Sequence, residues 1–472
     1  MIYVVTVSLV VLVLCAVSIA KMRSVKSKAD FLVAGRTLAW PVLVFTLLSS
    51  WIGAGSLLAG AENAYRNGFA ALWQPAGGWF GLILIALIAG RARRFAQFTV
   101  PDLLESRYNA TSRILATIAI VISCTVITSY QLIGGGDILH LIFPTVSSVT
   151  GRYIIAAFVI GFTAAAGMAS VAYLDFFIGA MVTLTVIVAV PVLLSSTGGW
   201  SSVTAALPPS HFRPLGNLTF LQGFQLLLPT MLLLIGNQGM YQKFFSAKSE
   251  RDAKMAVYGW IVGTVVLETL LVTLAVIASA ILKTDKPREI IPLAARTSLP
   301  PLLGAILLGG VFAKVISTAN NYLFSPATNL IHDVYERFIN PNATQRQILM
   351  VSRLVVIVLG LFALLQATQF ESILEASLYA YTIYGAAVTP SVLAVFFWKR
   401  TTAQGAVASI LLGTVVTIVW KQLQHHAPQS LPVSADLDAI YPALLFSLAS
   451  LIGVSLLTPV PTAQQLSLVE RS

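Results

Sequence analysis

GGVFAKVISTANNYLFSPATN, residues 309–329, is an apolar run of membrane-spanning length that carries Lys314, Ser317, Thr318, Asn320, Asn321, Ser325 and Thr328. Positions 314, 317, 318, 321, 325 and 328 follow the three-and-four spacing that lines them along one helix face. Val311, Phe312, Val315, Ile316, Leu323 and Phe324 form the other. A polar stripe in such a helix turns away from lipid, toward protein or a watery cavity. The adjacent hydroxyls of Ser317 and Thr318, with carbonyls one turn earlier, are hard oxygen donors of the kind small cations take. A lone Ser-Thr pair more often bonds back to its own helix or joins two helices. Seven polar residues in one span favour a lined path.

Outward from this stretch, apolar runs recur along nearly the whole chain. Its 472 residues are 57% hydrophobic and 10% charged, with mean hydropathy +0.85, against about a quarter charged in soluble domains. The chain reads as an all-α polytopic membrane protein of about thirteen transmembrane helices. The spans fall near 3–20, 38–59, 69–90, 114–134, 152–169, 173–194, 221–242, 256–281, 302–327, 349–367, 373–397, 404–420 and 440–458. No base precedes the first run, while Lys21, Arg23, Lys26 and Lys28 follow it, which favours a retained anchor over a signal peptide.

The net charge of +11 does not point to nucleic acid, because the bases sit in short loops between spans. Nineteen lie in loops on one side of this topology and eight on the other, which places the N-terminus outside and the C-terminus in the cytoplasm of a plasma-membrane protein. Cys15 and Cys124 make no disulfide framework, and the scattered histidines, including His425-His426, make no metal set. No appended soluble domain is expected, and no nucleophile–base constellation suggests an enzyme.

Two spans look interrupted. Ser49-Ser50-Trp51-Ile52-Gly53-Ala54-Gly55-Ser56 puts two glycines and three serines at mid-depth of the second; Pro229 and then Gly236-Asn237-Gln238-Gly239 interrupt the seventh. Each opens a run of five spans. Matching breaks in two five-helix halves point to an inverted-repeat transporter that holds ligands where helices unwind. Unwinding frees carbonyls for a cation and half-helix N-termini for an anionic group. The expected division is 1–37 (an extra helix and loop), 38–200 and 201–398 (the two repeats), and 399–472 (two further helices and a tail).

Charges inside spans need partners or water. Glu268 and Lys314, at similar depth on consecutive spans, are expected to pair. Asp175, opening the sixth span, suits a cation's path, or else caps a helix end at the surface.

These residues resemble the sodium/solute symporter family, whose members include sodium/proline, sodium/glucose and sodium/sialic acid transporters. The similar runs are ADFLVAGR after the first span, WIGAGSLLAG at the first break, GNQGMYQKFFSAKSERDA closing the seventh span, ISTANNYLFSPATNLIHDVY, and PSVLAVFFWKRTTAQGA. The resemblance covers about residues 29–420. It implies a leucine-transporter-type (LeuT-like) five-plus-five inverted repeat, alternating access and sodium-driven uptake. It also implies a sodium site made by the Ser317 and Thr318 side chains, the Lys314 carbonyl, and the Ser50 and Gly53 carbonyls. The family's aspartate on the ion path matches Asp175, although Tyr173-Leu174 stand where Trp-Thr is frequent. Asn320 and Asn321 replace the hydroxyls of members with a second sodium site and are assigned to the path. Lys314 stands where a small residue is usual.

Ser56, Tyr130, Gln131, Thr230, Asn237 and Tyr384 are the candidate solute contacts. The chain is therefore expected to be a monomeric or weakly oligomeric symporter of a small polar solute, with sodium as cargo and no prosthetic group. The rivals are a proton-coupled symporter of the same fold and a solute sensor that transports nothing.

Overall fold

The computed structural model describes residues 2–22, 36–95, 99–165, 168–431, 437–462 and 465–466. The expected helices form from their apolar runs, and side-chain caps fix many of their starts. Asn109 accepts from the Ser112 N–H, and Thr219/Gln222 and Thr344/Gln347 make reciprocal capping boxes. Eleven helical stretches among the described residues are long and apolar enough to cross a membrane, one of them the continuous Gly55–Gly90. The helix Trp40–Trp51 is shorter. With α1 (Ile2–Met22), each of the thirteen predicted spans has a helix at its place.

The second span is broken as expected. Helix α2 (Trp40–Trp51) ends where Ile52 turns extended, at φ −86° and ψ 97°; the chain resumes as a π-turn (Gly55–Ala59) and α3 (Gly60–Asn67). Then come α4 (Trp73–Phe95), α5 (Val100–Arg107), α6 (Ala110–Ile142), α7 (Ser148–Ala165) and α8 (Met168–Ser196). The seventh span divides into α9 (Phe220–Gly236) and α10 (Gln238–Ser246) at Asn237. Pro229 lies inside α9 and does not break it; in a membrane helix, neighbouring groups absorb the one missing N–H. The second set continues with α11 (Glu250–Ile281), α12 (Pro301–Asn329), α13 (Gln345–Gln366), α14 (Ile373–Ala387) and α15 (Thr389–Phe397). Helices α16 (Ala403–His426) and α17 (Ile440–Leu457) pack on each other at the end.

The two broken spans are tied together by backbone. Leu38 donates to the Ser246 carbonyl at 3.1 Å and accepts from Lys248 at 2.9 Å, joining the approach to α2 with the end of α10. Helix α12 packs on α6, α8, α1 and α2. The window around α12 is 83% buried, against 28% for α7, so its polar stripe faces protein, not lipid.

Candidate functional site

Asp175 is the hub of a buried polar cluster between α2, α8, α10 and α12. It is fully buried and lies seven residues into its helix, so it is not an end cap. Its Oδ1 accepts from Ser317 Oγ; its Oδ2 accepts from Thr46 Oγ1 at 2.9 Å and Asn321 Nδ2 at 3.3 Å. Ser50 Oγ donates to the Thr46 carbonyl at 2.9 Å and lies 3.4 Å from Asp175 Oδ2. Thr318 Oγ1 donates to the Ser49 carbonyl at 3.3 Å, across the seam from the broken helix. A Cβ at Gly53 would lie 2.6 Å from Thr318 Oγ1 and Cγ2, so only glycine lets the unwound backbone meet the hydroxyl pair.

Two lysines share this cluster. Lys243, 1% exposed on α10, donates from Nζ to Ser50 Oγ at 2.6 Å and to Asn321 Oδ1 at 3.1 Å. Lys314 Nζ is buried without a hydrogen-bond partner among the described residues. In sequence, Lys243 looks like a loop base, because it follows the apolar segment 221–242 at a span's end. Only the α9–α10 break, which turns the half-helix inward, makes it a site residue.

The expected Glu268–Lys314 pair does not form. Glu268 turns to the other side of the first break, where Oε1 accepts from Trp51 Nε1 at 3.0 Å and Ser56 Oγ at 3.1 Å. Its Oε2 accepts from Trp79 Nε1 at 3.1 Å. Consecutive helices at equal depth do not face their charges toward each other unless their rotations agree, and periodicity leaves that open. Asn320 also departs from the ion path: its Oδ1 accepts from Thr163 Oγ1 on α7 at 2.9 Å.

Glu268 faces a narrow cavity lined by Trp51, Ser56, Gln74, Thr230, Leu271 and Tyr381, among others. Of the six candidate solute residues, Ser56 and Thr230 line it. Thr230 also donates to Leu226 of its own helix at 3.0 Å. Tyr130 stands behind the cavity, its hydroxyl 3.2 Å from that of Tyr381. The other three are not in the lining. Gln131 Oε1 accepts from the Ala54 N–H at 2.8 Å, and Tyr384 Oη accepts from the Gln238 N–H at 2.7 Å. Asn237 Oδ1 takes the Gly239 N–H at 2.9 Å while its Nδ2 donates to Tyr322 Oη at 3.0 Å. These side chains satisfy backbone donors that the breaks release, which must be paired where water is absent.

As a cation site, the cluster offers hydroxyls, unwound carbonyls and one carboxylate, a donor set that suits sodium. The Lys243 ammonium already engages one of these hydroxyls, so an ion entering here shares the site with a tethered cation.

Residues 31–413 match the model of the Sodium:solute symporter family. A sodium/proline symporter of Haemophilus influenzae is 24% identical over 475 aligned residues, covering 94% of this chain and 92% of that one. One from Staphylococcus aureus is also 24% identical, over 87% and 84% of the two chains. Among solved structures, a Na+-coupled sialic acid symporter in a substrate-bound outward-open state superposes with a TM-score of 0.82 at 15% identity, covering 98% of each chain. A nucleobase-cation-symport-1 family transporter superposes at 0.58 and 12% identity, over 95% and 100%. The chain belongs to the Sodium:solute symporter family: it is a multi-pass membrane protein that couples a solute to sodium, and not an enzyme.

Proposed function

We propose that this chain imports a small polar solute by alternating access, with sodium bound between the first break and the Ser317–Thr318 pair. The observation that carries this reading is the seam at which Gly53 meets Thr318, beside a buried Asp175 that gathers Ser317, Thr46 and Asn321. Ser50, Gly53, Lys314, Ser317 and Thr318 are the proposed ligands, through the groups named above, and Asp175 and Asn321 flank the route. Lys243 holds Ser50 and Asn321 when sodium is absent and gives them up when it enters. The Lys243 ammonium already balances the cluster's one carboxylate, so sodium displaces it from its partners rather than adding to it.

The sidedness follows from the loop charges, with the N-terminus outside and the C-terminus in the cytoplasm. The two proposed repeats, 38–200 and 201–398, rock about the site, while 1–37 and 399–472 lie outside them. Closure on the cytoplasmic side rests on Arg113, which bonds Asp333 and Asp102 at 2.8 Å and also Glu105. On the other side, Arg288 bonds Asp137 at 2.8 Å.

The test is thermal stability of the purified protein in sodium against potassium. Sodium alone should raise the Tm with its concentration, and Ser317→Ala with Thr318→Ala should abolish the rise. Equal stability in the two salts would remove the proposed site.

A further inference from the structure

Glu268 is 3% exposed and has no ion-pair partner among the described residues, yet three donors hold both its oxygens. The two indoles can only donate, which is how an ionised carboxylate is gripped. Three donors leave about one of the carboxylate's four acceptor positions open. Gln74, beside it in the cavity wall, has a buried carbonyl oxygen with no hydrogen-bond partner among the described residues. What the cavity lacks is therefore a positive charge and N–H donors. Among the described residues lining it, none is a Lys, Arg or His that would balance an anionic solute.

The other way to hold a carboxylate in this fold is a released backbone N–H. Of the N–H groups at the breaks, those of Ala54, Gln238 and Gly239 are taken by Gln131, Tyr384 and Asn237. An anion at the Gly55–Ser56 end of the cavity would face the Glu268 carboxylate, which Ser56 Oγ already bonds. The rest of the wall includes Leu271, Val272 and the near-parallel rings of Trp51 and Tyr381, 6.5 Å apart. Such surfaces suit methylene groups around a cation.

We propose that this cavity binds a small protonated amine, held by the Glu268 carboxylate and the Gln74 carbonyl, and discriminates against carboxylate-bearing solutes. This rests on the symporter reading above, which supplies the cavity's role.

Three five-membered rings test it: pyrrolidine, protonated at pH 7; proline, the same ring with a carboxylate; and cyclopentanol, neutral. Each is added to the purified full-length protein, in sodium and in potassium, and the thermal shift is followed. Pyrrolidine should stabilise in sodium at a concentration at least tenfold below any effect of the other two. Glu268→Gln should weaken it at least tenfold while leaving the shift caused by sodium alone unchanged. Gln74→Leu, which leaves the indole-bonded carboxylate in place, should weaken it severalfold and serves where Glu268→Gln does not fold.

Proline or cyclopentanol acting at or below the pyrrolidine concentration overturns the inference, as does no effect of pyrrolidine while sodium alone still stabilises. If sodium itself has no effect, the symporter reading fails first, and the amine inference falls with it.

Discussion

Replacing Gly53 by alanine should separate the broken helix from the hydroxyl pair while leaving every proposed ligand in place. The added Cβ would sit 2.6 Å from Thr318 Cγ2 and Oγ1 and 2.7 Å from its Cβ, at least 0.7 Å inside the 3.4 Å at which ordinary contact begins. Rotation about χ1 does not clear the clash, because Thr318 Cβ, which does not move with χ1, is itself 2.7 Å away. Both elements are enclosed, so the strain is of the overpacking kind, about 1–3 kcal/mol. Borne mainly by the sodium-bound form, where the seam must be tightest, it corresponds to roughly 5- to 150-fold weaker sodium binding.

The assay is a sodium titration of the Tm for wild type, Gly53→Ala, Thr318→Ser and the double variant. Thr318→Ser keeps the hydroxyl and removes Cγ2, one of the three crowded atoms, so it should restore part of the lost affinity in the Gly53→Ala background. The two changes should couple by about 0.5–3 kcal/mol. Sodium affinity within twofold of wild type in Gly53→Ala would refute the reasoning, because the seam would then not be where the ion binds. A loss that Thr318→Ser leaves untouched would show that contact with Cγ2 is not its cause.

Two further outcomes are expected. Lys243→Met removes the ammonium from Ser50 and Asn321; a hydrogen bond to a charged group is worth about 1.5–3 kcal/mol, so sodium should bind roughly 10- to 150-fold more tightly while the sodium-free Tm falls. Unchanged or weaker sodium binding in that titration would mean that the lysine does not compete. Glu289, outside the spans, has its carboxyl pushed up by burial and then by the neighbouring Asp137 charge, against the opposing pull of Lys286 and Arg288. A carboxyl raised on folding favours the folded state below its folded pKa and loses that stability as pH rises through it. Glu289→Gln should therefore melt higher than wild type at pH 8 and nearly with it at pH 4; a gap that widens toward acid would contradict this.

The membrane class, the helix count and the two interruptions were legible from residue order alone, because lipid forces each span to satisfy its own backbone over a fixed length. The motifs also singled out Ser317, Thr318, Ser50, Gly53 and Asp175, each in a recognisable local pattern, and the fold brings these five into one cluster. The fate of the remaining polar residues was not legible. Gln131, Asn237 and Tyr384 look like ligand contacts in sequence, and in space they satisfy N–H groups freed at the breaks. Whether a polar side chain serves the backbone or the cavity depends on which donor stands opposite it, and that donor comes from another helix.

The charges divide in the same way. Glu268 and Lys314 share a depth, which periodicity reports, but their azimuths send one to the indoles of Trp51 and Trp79 and the other to the Asp175 side. Lys243 resembles a loop base until the chain unwinds at Asn237 and carries it to Ser50. Sequence by itself determined that this chain crosses the membrane many times and unwinds twice on the way, because hydropathy and backbone satisfaction are local demands. Only the tertiary structure decided which buried charge meets which, because helix rotation is set by packing among distant segments.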